Sequence, residues 1–256
     1  MPVSRRSGGG NARQAFVLVH CLPGDSAAFE LLAPRLADEG TVVLVDLPDC
    51  GTSPDAHSLD PDDAVDDVRT IIAGLAPVPV VLVGVSFGAW ASARLASLAP
   101  PSNLAGLVLV GGLAGMRPVV ADAYRTMATD LDAGRTELPA VWQGLMAGCF
   151  PTEGTPEARA SVNAMVGRIS RERAVRALRR VAGMAADDRR AGAFETPAVA
   201  LHARHDAVTP LEDGVELARL GRHTRLQIIE SDAHLLTLTH VDACLAAIRS
   251  VALEQR

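Results

Sequence analysis

The run Val80-Val81-Leu82-Val83-Gly84-Val85-Ser86-Phe87-Gly88-Ala89-Trp90 constrains the chain more than any other stretch. Its first part is β-branched and aliphatic, with the length of a fully buried strand, and an Ala-rich segment of helical character, Ala89 to Ala99, follows at once. Between them lies Gly-Val-Ser-Phe-Gly, a Gly-x-Ser-x-Gly pentad at a strand-to-helix turn. Such a turn is strained, and it needs small residues at Gly84 and Gly88 because strand and helix pass close together. It lifts the Ser86 hydroxyl clear of the sheet. It also aims the Phe87 N–H, at a helix N-terminus, toward a place where negative charge can develop. A plainer reading competes, in which two glycines merely let a strand pack against its crossover helix. The partners of Ser86 decide between them.

The rest of the chain supplies a matching frame. Ala15 to Val19 reads as a buried strand ending at His20-Cys21-Leu22-Pro23-Gly24. Ser26 is placed to cap a helix running to Glu39, and Gly40 closes it. Thr41 to Asp46 is a second strand, and Pro61 opens a helix marked by Val65, Val68, Ile71 and Leu75. After Ser86 comes a fourth strand, Leu104 to Val110. Residues 113–193 then hold only helical patterns and turn residues, before strands at 197–201 and 224–229 and a last helix from about Val241. Strand–helix alternation implies a mostly parallel sheet with helices on both faces. The domain reading is a flexible tail at 1–14, an α/β core at 15–112 and 194–256, and a helical lid at 113–193 over the carboxyl ends of the strands.

Composition excludes several function classes. A net charge of −6 argues against a nucleic-acid surface, and no apolar run reaches the ~18–20 residues of a membrane span. The chain has no lysine, which removes P-loop, Schiff-base and Ser-Lys chemistry. Cys21, Cys50, Cys149 and Cys244 show no C-x-x-C spacing, so no metal is implied, and a reduced, cytoplasmic setting fits. Cys21 and Cys50 fall on loops of neighbouring strands; two reduced side chains are expected, with a disulfide as the alternative. Residues 1–14 have no apolar stretch behind Arg5-Arg6 and do not read as a signal peptide.

A serine hydroxyl needs a base within reach, and the base needs an orienting group. Asp206 lies just beyond the strand ending at Leu201, and His234 just past the strand ending at Ile229. Both are therefore expected at the carboxyl edge of the sheet beside Ser86, in the chain order serine, acid, histidine. Separately, Asp206 reads as a turn or cap residue and His234 as a loop histidine. Together with Ser86 they read as a triad.

These motifs resemble those of α/β-hydrolase-fold serine hydrolases of the esterase and lactonase kind, from about residue 15 to the C-terminus. His20-Cys21-Leu22-Pro23-Gly24 is similar to the family's His-Gly-x-x-Gly oxyanion loop, and Asp46-Leu47-Pro48-Asp49-Cys50-Gly51-Thr52-Ser53 to its Asp-x-x-Gly-x-Gly-x-Ser loop. By this resemblance the Leu22 and Phe87 N–H groups form the oxyanion hole, and no cofactor is implied. Cys21, Asp49, Ala203 and Ser231 stand where glycines are common in the family. The shortened start resembles plant-type methylesterases and hydroxynitrile lyases, while the lid placement is more like bacterial carrier-protein methyl-ester esterases and enol-lactonases.

Beyond the triad, His20 is expected beside the site, chiefly as a loop-positioning residue. Cys21, Trp142 and Met146 are the other candidate substrate-binding residues. Met116, Met127, Met146, Met165 and Met184 all fall in the lid, as gap-fillers or as a plastic apolar roof. Arg168, Arg171, Arg173, Arg176, Arg179 and Arg180 read as one basic helix, either a solvated face or a docking site for an acidic carrier protein. The expected activity is cleavage of a small-molecule carboxylic ester, thioester or lactone. The alternatives are lyase or transfer chemistry on the same triad, or a catalytically idle binding protein on this fold.

Overall fold

The computed structural model describes the backbone of residues 3–7, 13–150, 152 and 154–253, with their side chains except at 3–6, 146, 166 and 253. Its strands are β1 (Val3–Ser7), β2 (Ala15–Val19), β3 (Thr41–Asp46), β4 (Val80–Val85), β5 (Leu104–Val110), β6 (Ala198–Ala203) and β7 (Thr224–Ile229). They form one sheet in the order β1-β3-β2-β4-β5-β6-β7. β1 runs antiparallel to β3, and the remaining pairs are parallel. Strand order reverses between β2 and β4, so the crevice where open α/β sheets bind ligands lies at the carboxyl ends of these two strands.

Alternation along the strands builds two apolar layers. Ala15, Val17 and Val19 join one cluster, together with Leu82, Leu107 and Leu109; Phe16, Leu18, Val83 and Val108 join the other. A single-turn helix at Ser26–Phe29 and α1 (Ala33–Leu36) lie after β2, α2 (Asp62–Ala73) after β3, and α3 (Phe87–Leu98) after β4. α3 is buried from Phe87 through Ala96, which its small residues allow. Between β5 and β6 stand α4 (Pro118–Asp132), α5 (Leu138–Cys149), α6 (Pro156–Arg168) and α7 (Arg171–Gly183). The chain closes with α8 (Leu211–Leu220), the short α9 (Leu236–Thr239) and α10 (Val241–Leu253).

Three expectations are corrected. The segment expected as a flexible tail contains one strand, β1, ahead of β2, so the start is less shortened than expected. Val3–Ser7 pairs with β3 and occupies what would otherwise be an open sheet edge, a position that needs no apolar period of its own. The helix expected from Ser26 to Glu39 is broken into a 3₁₀ turn and α1, with Pro34 in the first turn of α1, where its missing N–H costs nothing. Asp25, not Ser26, caps that 3₁₀ turn, accepting the Ala27 N–H at 2.9 Å. The arginines expected on one helix are divided, Arg168 ending α6 and the others lying on α7.

Those arginines are also not a free basic patch. Arg168 pairs with Asp25, Arg171 with Glu137, Arg173 with Asp55, Arg179 with Asp132, and both Arg176 and Arg180 with Asp49. Their charges answer carboxylates of this chain. α7 buries Val175, Leu178 and Val181 against its surroundings, at about 1.5–3 kcal/mol each. An exposed ion pair contributes about 0–1 kcal/mol. The apolar face therefore holds α7 in place, and the arginines set where it sits.

Candidate active site

Ser86 sits between β4 and α3 at φ 53° and ψ −111°, in the left-handed half of conformational space that a non-glycine residue rarely enters. The flanking glycines are required sterically. A Cβ on Gly84 would overlap the Gly88 carbonyl, and one on Gly88 would overlap the Val19 carbonyl of β2. The Ser86 N–H donates to Val110 O at 2.9 Å, tying the turn to the end of β5.

The acid and the histidine come together beside it. The Asp206 carboxylate accepts from His234 Nδ1 at 2.7 Å, so Nδ1 carries the proton and Nε2 is left as the basic nitrogen. Its other oxygen accepts the Val208 and Thr209 N–H groups at 2.8 and 2.9 Å. Burial pushes the Asp206 carboxyl up, but the His234 charge and hydrogen bond, with the two N–H donors, outweigh it and hold the group below its ordinary value. The Thr209 hydroxyl stands 3.0 Å from both Asp206 Oδ2 and Gly111 O, and 3.3 Å from His234 Nδ1. Gly111, at φ 53°, passes close to the His234 ring. Thr209 was not singled out in the sequence; its place beside Pro210, three residues after the acid, was the available signal.

His20 takes the loop-positioning place chiefly expected of it. It is fully buried, with Nδ1 donating to Cys21 O at 2.7 Å and Nε2 accepting the Leu47 N–H at 3.0 Å. Both ring nitrogens are thus used on loop backbone, and His20 is not among the residues that line the cavities. Burial lowers its pKa, which keeps this neutral tautomer. The glycine departures are explained in the same way. Cys21, Ala203 and Ser231 have ordinary backbone angles that any residue adopts, whereas Asp49 is at φ 69°. Asp49 is held there by accepting the Ala56 N–H at 2.9 Å and by its pairs with Arg176 and Arg180. The four cysteines are free and buried, so Cys21 and Cys50 are not joined, and burial pushes each of these two thiols up to about 12.

Two cavities meet at Ser86. The larger is lined by Ser86 and His234, by Cys21 and Leu22, and by the apolar Trp142 and Met165 of the helical segment. The smaller runs from Ser86 and Phe87 to Leu113, Met116, Met184 and Arg117. Leu22, Ser86, Tyr124 and Val208 line both. Of the substrate-binding candidates, Cys21 and Trp142 are therefore at the larger cavity; the Met146 side chain lies outside the described residues. Tyr124 and Val208 were missed as pocket residues, since helical periodicity does not say which face of α4 turns to the sheet, and Val208 lies in a loop without a period. No group of His, Cys, Asp and Glu suited to a metal is found among the described residues, nor any helix long and apolar enough to cross a membrane.

A strained serine thus stands between a parallel strand and its helix, with an Asp–His pair on two later strand-end loops. The family model described as alpha/beta hydrolase fold matches residues 14–241. The chain belongs to this family. It is 27% identical over 249 residues, covering 91% of each chain, to a protein of Neisseria meningitidis serogroup C named pimeloyl-[acyl-carrier protein] methyl ester esterase. A thermophilic esterase of Thermogutta terrifontis superposes with a TM-score of 0.83 at 22% identity, covering 99% of this chain and 93% of that one. The enol-lactonase of Burkholderia xenovorans LB400 superposes with a TM-score of 0.84 at 19% identity, covering 98% and 96%. In this α/β-hydrolase chain the elements common to the fold hold Ser86, Asp206 and His234, and the helices after β5 roof the cavities.

Proposed function

We propose that this chain hydrolyses a carboxylic ester through an acyl-enzyme on Ser86. His234 Nε2 takes the hydroxyl proton as Ser86 Oγ attacks the acyl carbon, and the Leu22 and Phe87 N–H groups face the oxyanion that forms. The C–O bond to the alcohol breaks as His234 returns the proton to the leaving oxygen. Water, deprotonated by the same nitrogen, then attacks the acyl-enzyme and releases the acid and free Ser86. Asp206 stays ionised, fixing the tautomer and stabilising the imidazolium. The observation that carries this reading is the buried 2.7 Å Asp206–His234 hydrogen bond, made at the wall of the cavity that also receives Ser86.

The larger cavity, lined by Trp142, Val162 and Met165, suits an apolar acyl chain, and residues 113–193 act as the lid that excludes water from it. The carrier-ester name of the Neisseria relative supports an acyl ester as the substrate class. The test is steady-state turnover of a panel of methyl and p-nitrophenyl esters. The wild type should turn over at least one, and Ser86→Ala should lose about 10⁶-fold in kcat. Equal turnover by the two proteins would remove the nucleophile from the account.

A further inference from the structure

The larger cavity is lined mostly by apolar side chains, with a charged pair in one part of its wall. Its wall there is made by Asp25, Gly51 and Arg168, and the same three residues line a separate outer groove with Ser26, Glu30 and Thr52. The partition is thin, since each of the three faces both spaces.

Its two charged members are held very differently. Asp25 is buried and fixed, its Oδ1 accepting the Ala27 N–H at 2.9 Å. Arg168 is the last residue of α6, its side chain 48% exposed, and it reaches Asp25 with two parallel hydrogen bonds, Nε to Oδ2 at 2.8 Å and Nη2 to Oδ1 at 2.9 Å. Swinging Arg168 away would leave a buried carboxylate without its cation, so the pair is closed by default. An alkyl chain growing toward it gains nothing from the encounter, because its end offers neither charge nor hydrogen bond.

We propose that Arg168 determines acyl chain length: with the Asp25 pair closed, the cavity accepts straight apolar acyl chains that end short of it, and longer chains must displace Arg168 and pass into the outer groove. This rests on the acyl-enzyme reading above. Within the cavity each added methylene should raise kcat/KM about fourfold; beyond it the gain stops.

The experiment is a p-nitrophenyl ester series from acetate to palmitate on the wild type, Arg168→Ala and Arg168→Lys. In the wild type kcat/KM should climb and then break off. In Arg168→Ala the break should move to longer chains, with the long-to-short ratio rising at least about tenfold, while Arg168→Lys, which keeps the charge but loses the two-bond fork, shifts it less. An unchanged break in Arg168→Ala overturns the proposal. Should that variant not fold, the wild type alone suffices: labelling rates with alkyl fluorophosphonates of increasing length must show the same break, and a smooth rise overturns it. Labelling of Ser86 with no break refutes the gate and leaves the hydrolase reading standing; no labelling and no turnover refutes both.

Discussion

The strand-end loops and the helical segment between β5 and β6 are built on different physics. Ser86, Asp206 and His234 are placed by backbone: parallel strands end at one edge, Ser86 follows β4 directly, and Asp206 and His234 lie in the loops after β6 and β7. α4 to α7 instead combine their own apolar cluster with side-chain pairs reaching back to the core, above all Arg176 and Arg180 to Asp49. The first arrangement holds the three candidate residues on rigid strand ends. The second roofs it with parts that sequence change can retune without disturbing the chemistry.

Substitutions sharpen that contrast, the strand-end loops first. Asp206→Asn leaves His234 in the wrong tautomer and should lower kcat/KM about 10⁴-fold with the fold intact, as circular dichroism would show. The same variant isolates a pH effect. The folded pKa of Asp206 lies below its unfolded value, so its stabilisation is complete above the ordinary carboxylate range near ~3.9 and is lost as pH falls through the folded pKa. Acid titration should therefore cost the wild type more stability than Asp206→Asn; parallel curves would contradict it. Gly88→Ala forces a Cβ into the Val19 carbonyl, and should destabilise by about 3 kcal/mol or more in a denaturant melt.

In the helical segment the effects are smaller and graded by burial. Arg180 and Asp49 are both buried, Arg180 donating to Pro48 O at 3.0 Å and Ser58 O at 2.9 Å as well as pairing with Asp49. Arg180→Met should cost about 3 kcal/mol, lowering Tm by roughly 6–12 °C. Arg179, paired with Asp132 at the surface, should matter by less than about 1 kcal/mol when changed to Ala. If Arg179→Ala cost as much as Arg180→Met, the distinction between buried and surface pairs would fail.

This division also explains what could be read in the sequence. Val80 to Val85, Ala198 to Ala203 and the loops after them are legible because a buried strand has a composition of its own and a loop beside it has a fixed address. β1 was illegible, since Val-Ser-Arg-Arg-Ser owes its strand to the open edge of β3 and not to any pattern. Arg168 and Arg180 looked like members of one basic run. Only the tertiary fold shows that one pairs with Asp25 at a cavity wall while the other is buried against the Asp49 loop. Side-chain pairs over long sequence separations leave no local period.

The most direct measurement is mass spectrometry of the intact and digested protein after treatment with a fluorophosphonate. One adduct is expected, on the peptide containing Ser86, absent in Ser86→Ala and strongly slowed in His234→Ala. An adduct on another residue, or none on folded wild-type protein, would contradict it.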